Sequence, residues 1–258
     1  MPEDGAAAVD GRRLRVCALY PDLMNIYADR GNLLMLERRC SWRGIGFELS
    51  ASGLGEPLDG EAHDLFYIGG GQDRDQLLCA ADLIETKRGG LEAAAARGAV
   101  VLGVCGGYQL LGRSYTLGGR RIEGVGLLDI DTVREDAPRL IGNVAIEVVL
   151  DGDEARPELL VGFENHGGRT SLAPGQPALG RVIKGHGNDG RSGMEGARSA
   201  NTIGTYLHGP LLPKNVWFAD WLITCALGME PGALEPLEDS LERAAHANAG
   251  RAAGVQVR

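Results

Sequence analysis

Residues 100–112 read VVLGVCGGYQLLG, an apolar run that delivers a cysteine into a cluster of glycines. A thiolate sulfur is a potent nucleophile, and its placement here suits that use. The stretch AVVLGVC (99–105) predicts a buried strand, and GGYQLLG predicts a short helix starting directly after it. Cys105 then falls on a tight strand-to-helix turn near the positive end of a helix, which favours the charged thiolate. Gly103 and Gly106 flank it as small residues do in a nucleophile elbow, where the backbone must bend sharply to expose the reactive atom. With Gly107 and Gln109 the string becomes G-x-C-x-G-x-Q, more specific than the elbow alone. The other four of the five cysteines, Cys17, Cys40, Cys79 and Cys225, are widely spread without a C-x-x-C pair. They read as small buried hydrophobes, and neither a disulfide framework nor a zinc or other metal site is expected.

A nucleophilic cysteine needs a base and donors for an oxyanion. The glycine triplet 69–71 follows a short apolar strand, DLFYI, and can turn backbone N–H groups toward a reacting carbonyl. Gly70 and Gly71 are the candidate donors, with the N–H of Gly106 as their counterpart. Alone, the triplet would be an ordinary strand-to-helix turn; its occurrence beside the Cys105 motif gives it a function. Five histidines compete for the role of base. His208, in GTYLHGPLL, ends an apolar strand before a proline-bounded turn, which suits a fixed imidazole. His166, in GFENHGGRT, ranks second, and a hydrogen-bonded loop histidine is the plainer reading for it. His63 and His246 lie in polar stretches and His186 in a glycine-rich one, and no role is assigned to them.

The elements that must position these groups follow from periodicity. LRVCALYP (14–21) predicts a strand, residues 25–44 a helix with Ile26, Leu33, Leu36 and Cys40 on one face, and IGFELS a second strand. DLFYIGGG (64–71) is a third strand, a helical stretch runs from Asp73 to Gly98, and AVVLGVC is the next strand. This alternation predicts an α/β fold, an open and mostly parallel sheet with helices on both faces. In such sheets, ligands bind beyond the carboxyl ends of the strands, where Cys105 lies. The second half is β-richer, with strands expected in GVGLLDIDTV, GNVAIEVVL and LLVGFENH. Residues 175–199 are rich in glycine and polar groups and predict loops. VWFADWLITCALG (216–228) predicts an amphipathic helix. The division expected is an N-terminal segment 1–13, a domain 14–228, and a tail 229–258 with room for one helix.

The chain has 258 residues and a net charge of −9 without a basic cluster, so nucleic acid is not an expected partner. No apolar stretch reaches the roughly 18 residues that cross a bilayer, and the acidic start lacks the order of a signal peptide. The reading is a cytoplasmic protein.

Taken together, GGG after a strand, GVCGGYQ and a late YLHGP resemble the class I, triad-type glutamine amidotransferases. YPDLMNIYADRGN, LGVCGGYQLLG, RLIGN, VGFENHGGRT, GHGN and GTYLHGPLLPKN together look like the GatD-type glutaminase subunits of lipid II isoglutaminyl synthase, over residues 20–215. The resemblance implies that Cys105 attacks the side-chain amide of L-glutamine and that His208 passes a proton to departing ammonia. It implies that water then releases glutamate from a thioester. It also implies that Arg139, in APRLIGN, binds glutamine, with Gln109 helping; a planar fork suits a carboxylate. The class usually carries a glutamate two residues after the histidine, where this chain has Pro210, so a dyad that is slow in isolation is expected. There is no G-x-x-x-x-G-K-[ST] phosphate loop and no cofactor is expected in this chain. The resemblance therefore implies a separate Mur-ligase-like, MurT-type partner that uses ATP and magnesium to activate the D-glutamate α-carboxylate of lipid II, beside the inner leaflet. A glutaminase serving a cobyrinate-type acceptor, a stand-alone cysteine hydrolase and a non-catalytic binding module are the competing readings.

Overall fold

The structure is a computed structural model that describes residues 11–25, 30–150 and 157–256. Its centre is a six-stranded sheet built from β1 (Arg13–Leu19), β2 (Gly46–Ser52), β3 (Leu65–Ile68), β4 (Val100–Val104), β13 (Ala197–Ser199) and β14 (Thr202–Thr205). Their order is β13-β14-β4-β3-β1-β2, and every neighbouring pair is parallel except the β13–β14 hairpin at the edge. β3 and β4 are buried at every position, which is why both read as continuous apolar runs.

Helix α1 (Arg30–Ser41) connects β1 to β2 in one direction along the sheet. Helices α2 (Asp73–Asp82) and α3 (Arg88–Ala96) connect β3 to β4 in the other. Right-handed crossovers in opposite directions place the two sets on opposite faces, as the alternating pattern predicts. Leu33, Leu36 and Cys40 of α1 are buried against the sheet, while Ile26 lies outside the described residues. Between α2 and α3 the expected single helix passes through a π-helical turn, Leu83–Lys87. Lys87 is wholly buried there, and its ammonium donates to the carbonyls of Gly53 and Glu56 at 2.8 Å each. Helix α4 (Gly106–Leu111) follows Cys105 directly.

The second half adds two four-stranded sheets. One holds β5 (Ser114–Leu117), β6 (Arg120–Glu123), β7 (Ile130–Arg134) and β10 (Gly168–Leu172) in the order β10-β7-β5-β6. The other holds β8 (Leu140–Val148), β9 (Glu158–His166), β11 (Gly180–Lys184) and β12 (Met194–Glu195) in the order β12-β11-β8-β9. The loop expectation for 175–199 is therefore corrected, since β11, β12 and β13 all fall within it. These strands are short, their glycines at 185, 187, 190, 193 and 196 have positive φ and form the turns, and β11 pairs with β8, more than 30 residues away in sequence. Local pattern carries no trace of that pairing.

Helices α5 (Leu211–Lys214) and α6 (Val216–Ala226) return the chain over α1, and α7 (Ser240–Ala253) lies on β8 and β9. Arg39 of α1, fully buried, is clamped by Asp220 of α6 and by Asp239 at the start of α7, the latter at 2.8 Å. Among the described residues no helix is long and apolar enough to cross a membrane.

Candidate active site

At the end of β4 the backbone turns through Cys105 at φ 53°, ψ −105°, a region that residues with a Cβ rarely occupy. Neighbouring bonds hold it there. The N–H of Cys105 donates to the carbonyl of Thr205 at 2.8 Å, and its own carbonyl accepts from the N–H of Gln109 at 3.2 Å. The first turn of α4 is pressed against β3: the N–H of Gly107 donates to Gly69 O at 3.0 Å. A Cβ on Gly107 would lie 2.2 Å from the carbonyl oxygen of Ile68, so only glycine fits.

The sulfur side of this turn opens on a polar cavity of about 380 Å³. Five of the residues expected from sequence line it: Cys105, Gly71, Gly106, Gln109 and Arg139. Gly70 and His208 are not among its lining residues. A more apolar cavity of about 390 Å³ lies between β1, α1 and β2, and no cysteine lines it.

His208 is buried at the end of the segment that continues β14, three residues past Thr205. Its N–H and carbonyl exchange hydrogen bonds with Phe163 of β9, both at 3.0 Å, which pins β9 to this end of the central sheet. Burial, joined by the nearby positive charges of His166, Lys214 and Arg139, pushes the His208 imidazole down to about 4, with Glu164 opposing. At neutral pH the ring is uncharged and able to accept a proton.

His166, the second-ranked histidine, lines the cavity. Its ring stacks on that of Tyr206 with centroids 3.5 Å apart, and its Nδ1–H donates to the carbonyl of Gly168 at 2.9 Å. Burial holds its pKa below the ordinary histidine value. The buried carboxylate of Glu164 lies 3.9 Å from Nε2 and accepts the N–H groups of His186 and Gly187, so the GHGN segment closes over this face.

Arg139 reaches the cavity with two of its donors already placed: Nε to Asn165 Oδ1 at 2.7 Å and Nη2 to the Asn165 carbonyl at 2.6 Å. Behind Cys105 runs a buried hydrogen-bonded chain. Gln76 Nε2 donates to Gln109 Oε1 at 2.7 Å, and Gln109 Nε2 donates to the Tyr206 hydroxyl at 3.0 Å. That hydroxyl meets Thr170 Oγ1 at 2.6 Å, which in turn meets Thr132 Oγ1 at 2.7 Å. Gln76, Tyr115, Arg134 and Asn165 line the cavity and were not expected from sequence. Among the described residues no cluster of three or more His, Cys, Asp or Glu is arranged to hold a metal ion.

Comparison with known proteins accords with this geometry. The CobB/CobQ-like glutamine amidotransferase domain matches residues 15–216. The chain is 38% identical over 221 residues to the protein named lipid II isoglutaminyl synthase (glutamine-hydrolyzing) subunit GatD of Streptococcus pneumoniae, covering 85% of this chain and 83% of that one. It is 39% identical over 226 residues to the protein of the same name from Staphylococcus aureus, covering 87% and 89%. A glutamine amidotransferase from Thermotoga maritima shares the fold, with a TM-score of 0.52 at 18% identity over 93% of this chain and 94% of that one. The chain belongs to the CobB/CobQ-like glutamine amidotransferases, in the family of the GatD subunits.

Proposed function

We propose that this chain is the glutamine-hydrolysing subunit of a lipid II isoglutaminyl synthase. The observation that carries the chemistry is Cys105 on a strained, glycine-flanked turn at the edge of a polar cavity. The acceptor is inferred from the two GatD relatives, each matched over more than four fifths of its length. By contrast, likeness to a probable cobyric acid synthase of Methanothermobacter thermautotrophicus spans 28% of that protein.

In this reading the Cys105 sulfur attacks the γ-carbonyl carbon of L-glutamine, and the N–H groups of Gly71 and Gly106, with Gly70 behind them, receive the developing oxyanion. His208, neutral at rest, takes the thiol proton and hands it to the departing amine, so that ammonia leaves and a γ-glutamyl thioester remains. A water deprotonated by the same imidazole then releases glutamate. Arg139 and Gln109 hold the amino acid in place, Arg139 through the guanidinium edge not engaged by Asn165.

Ammonia alone does not displace the oxygen of a carboxylate. A Mur-ligase-like, MurT-type subunit would use ATP and magnesium to activate the D-glutamate α-carboxylate of lipid II, in the cytoplasm at the membrane face where that lipid is held. With Pro210 where an orienting glutamate would stand, the chain alone is a slow glutaminase that its partner stimulates. The test is release of glutamate from glutamine by the chain alone and with a co-purified ligase-like subunit. Amidated lipid II with both subunits, ATP and glutamine supports the reading. Glutamine hydrolysis that never transfers nitrogen to lipid II contradicts the acceptor assignment.

A further inference from the structure

The buried chain behind Cys105 has a direction, and that direction decides what the cavity wall presents. Gln109 donates with Nε2 to the Tyr206 hydroxyl, so its Oε1 is the atom that faces Gln76. Gln76 must then offer its Nε2, at 2.7 Å, and its Oε1 is turned the other way. With Gln109 in this orientation a flip of Gln76 alone would oppose two carbonyl oxygens, and at 3% exposure it has no solvent to compensate for the loss.

The direction of Oε1 can be located. A Cβ built on Gly106 would lie 3.3 Å from Gln76 Oε1 and 3.1 Å from the N–H nitrogen of Gly71. Gln76, Gly71, Gly106 and Cys105 all line the same cavity. The Gly71 N–H and the Gln76 side-chain oxygen thus flank Gly106, next to Cys105, in the wall of that cavity. Donor and acceptor side by side are the complement of a primary carboxamide, whose oxygen accepts and whose NH2 donates.

We propose that Gln76 reads the amide nitrogen of the substrate: its Oε1 accepts an N–H of the glutamine carboxamide while the glycine N–H groups take the carbonyl oxygen. This rests on the glutaminase reading above and adds a basis for specificity to it. Glutamate has no donor to offer at that position, and its carboxylate oxygen would meet the lone pairs of Oε1. The site therefore admits the amide and expels the acid formed from it. A wall built to hydrogen-bond an N–H discriminates strongly against an analogue lacking one, because its own buried polar atom is left unpaired. Gln109 acts through Gln76 here as a positioning residue.

The experiment compares two reactions of the same sulfur in the full chain, unsubstituted and as Gln76→Met. Glutamine hydrolysis uses the amide N–H. Alkylation of Cys105 by diazo-oxonorleucine does not, because a diazomethyl ketone stands where the amide would be. The expected result is a fall of about thirtyfold or more in kcat/KM for glutamine, with the alkylation rate within about threefold of the unsubstituted chain and glutamate inhibiting relatively better. Parallel loss of both reactions in a folded variant would make Gln76 a structural residue and overturn the proposal, as would unchanged hydrolysis. Should Gln76→Met not fold, Gln76→Asn keeps the amide but draws the acceptor back, and the same divergence between the two reactions is required. An unsubstituted chain that neither hydrolyses glutamine nor reacts with the diazo ketone would instead defeat the glutaminase reading.

Discussion

The backbone N–H of Cys105 and the carbonyl of Thr205 are joined at 2.8 Å, so the ends of β4 and β14 are locked together just where Cys105 leaves the sheet. Thr205 lies three residues before His208, whose own backbone is fastened to Phe163 of β9. The backbone positions of Cys105 and His208 are thus set by strand pairing rather than by a flexible loop. Rigid elements hold groups more closely than loops do, as the proposed two-step acyl transfer would require.

His208→Ala should lower kcat for glutamine by about 10²–10⁴, the usual worth of a general base, and should also slow alkylation of the sulfur, because the same imidazole takes the thiol proton. Because burial pushes the imidazole down to about 4, His208 stays neutral well below the ordinary histidine pKa. A pH profile of kcat/KM checks this directly. Its acidic limb should not begin near 6.5, and a limb at 6–7 that vanishes in His208→Ala would contradict the assigned environment.

Glu195 is fully buried behind the site, where its carboxyl accepts the Thr205 hydroxyl at 2.6 Å and the Tyr206 N–H at 2.8 Å. Burial raises it to about 7, above the ordinary carboxyl value of 4.5. Between those two values the folded chain holds a proton that the unfolded chain has lost, so Glu195 costs stability increasingly as pH rises toward 7 and fully above it. Glu195→Gln keeps the acceptor and should gain on the order of 2 kcal/mol at pH 8, with little or no gain at pH 4.5. Denaturant melts at the two pH values check it. An equal effect at both would show that the carboxyl does not titrate there.

Arg39 bridges three elements through Asp220 and Asp239 with no exposure of its own. Arg39→Met takes the buried guanidinium from Asp239 while Arg43 still holds Asp220, and should cost about 3 kcal/mol. Hydrogen exchange should show α7 losing protection before the central sheet. Uniform loss of protection would mean that the clamp does not hold the C-terminal helix in particular.

The central sheet was legible because parallel strands buried on both faces write themselves as apolar runs such as AVVLGVC, and because glycine marks the turns that follow them. The Cys105 motif was legible for the same reason: only a sharp elbow needs that spacing of small residues. The strands between 175 and 199 were not legible, since β12 and β13 are only two and three residues long and β11 is held by β8, distant in sequence. Gln76 and Arg134 were missed because a polar residue in a helix or at a strand end reads as solvent-facing until the cavity around it is seen. His208 was picked out by the strand and the turn around it, yet its electrostatic setting comes from burial and from His166, Lys214 and Arg139 on other elements, which no local pattern encodes.

The most direct measurement is the site of covalent labelling. Incubated with diazo-oxonorleucine, the intact chain should gain the mass of one adduct, peptide mapping should place it on Cys105, and excess glutamine should suppress it. Cys17, Cys40 and Cys79 are buried, and Cys40 and Cys79 are pushed up to about 12 by burial, so they should remain unmodified. No adduct, or one that glutamine does not suppress and that falls on another cysteine, would contradict the account of Cys105 as the nucleophile.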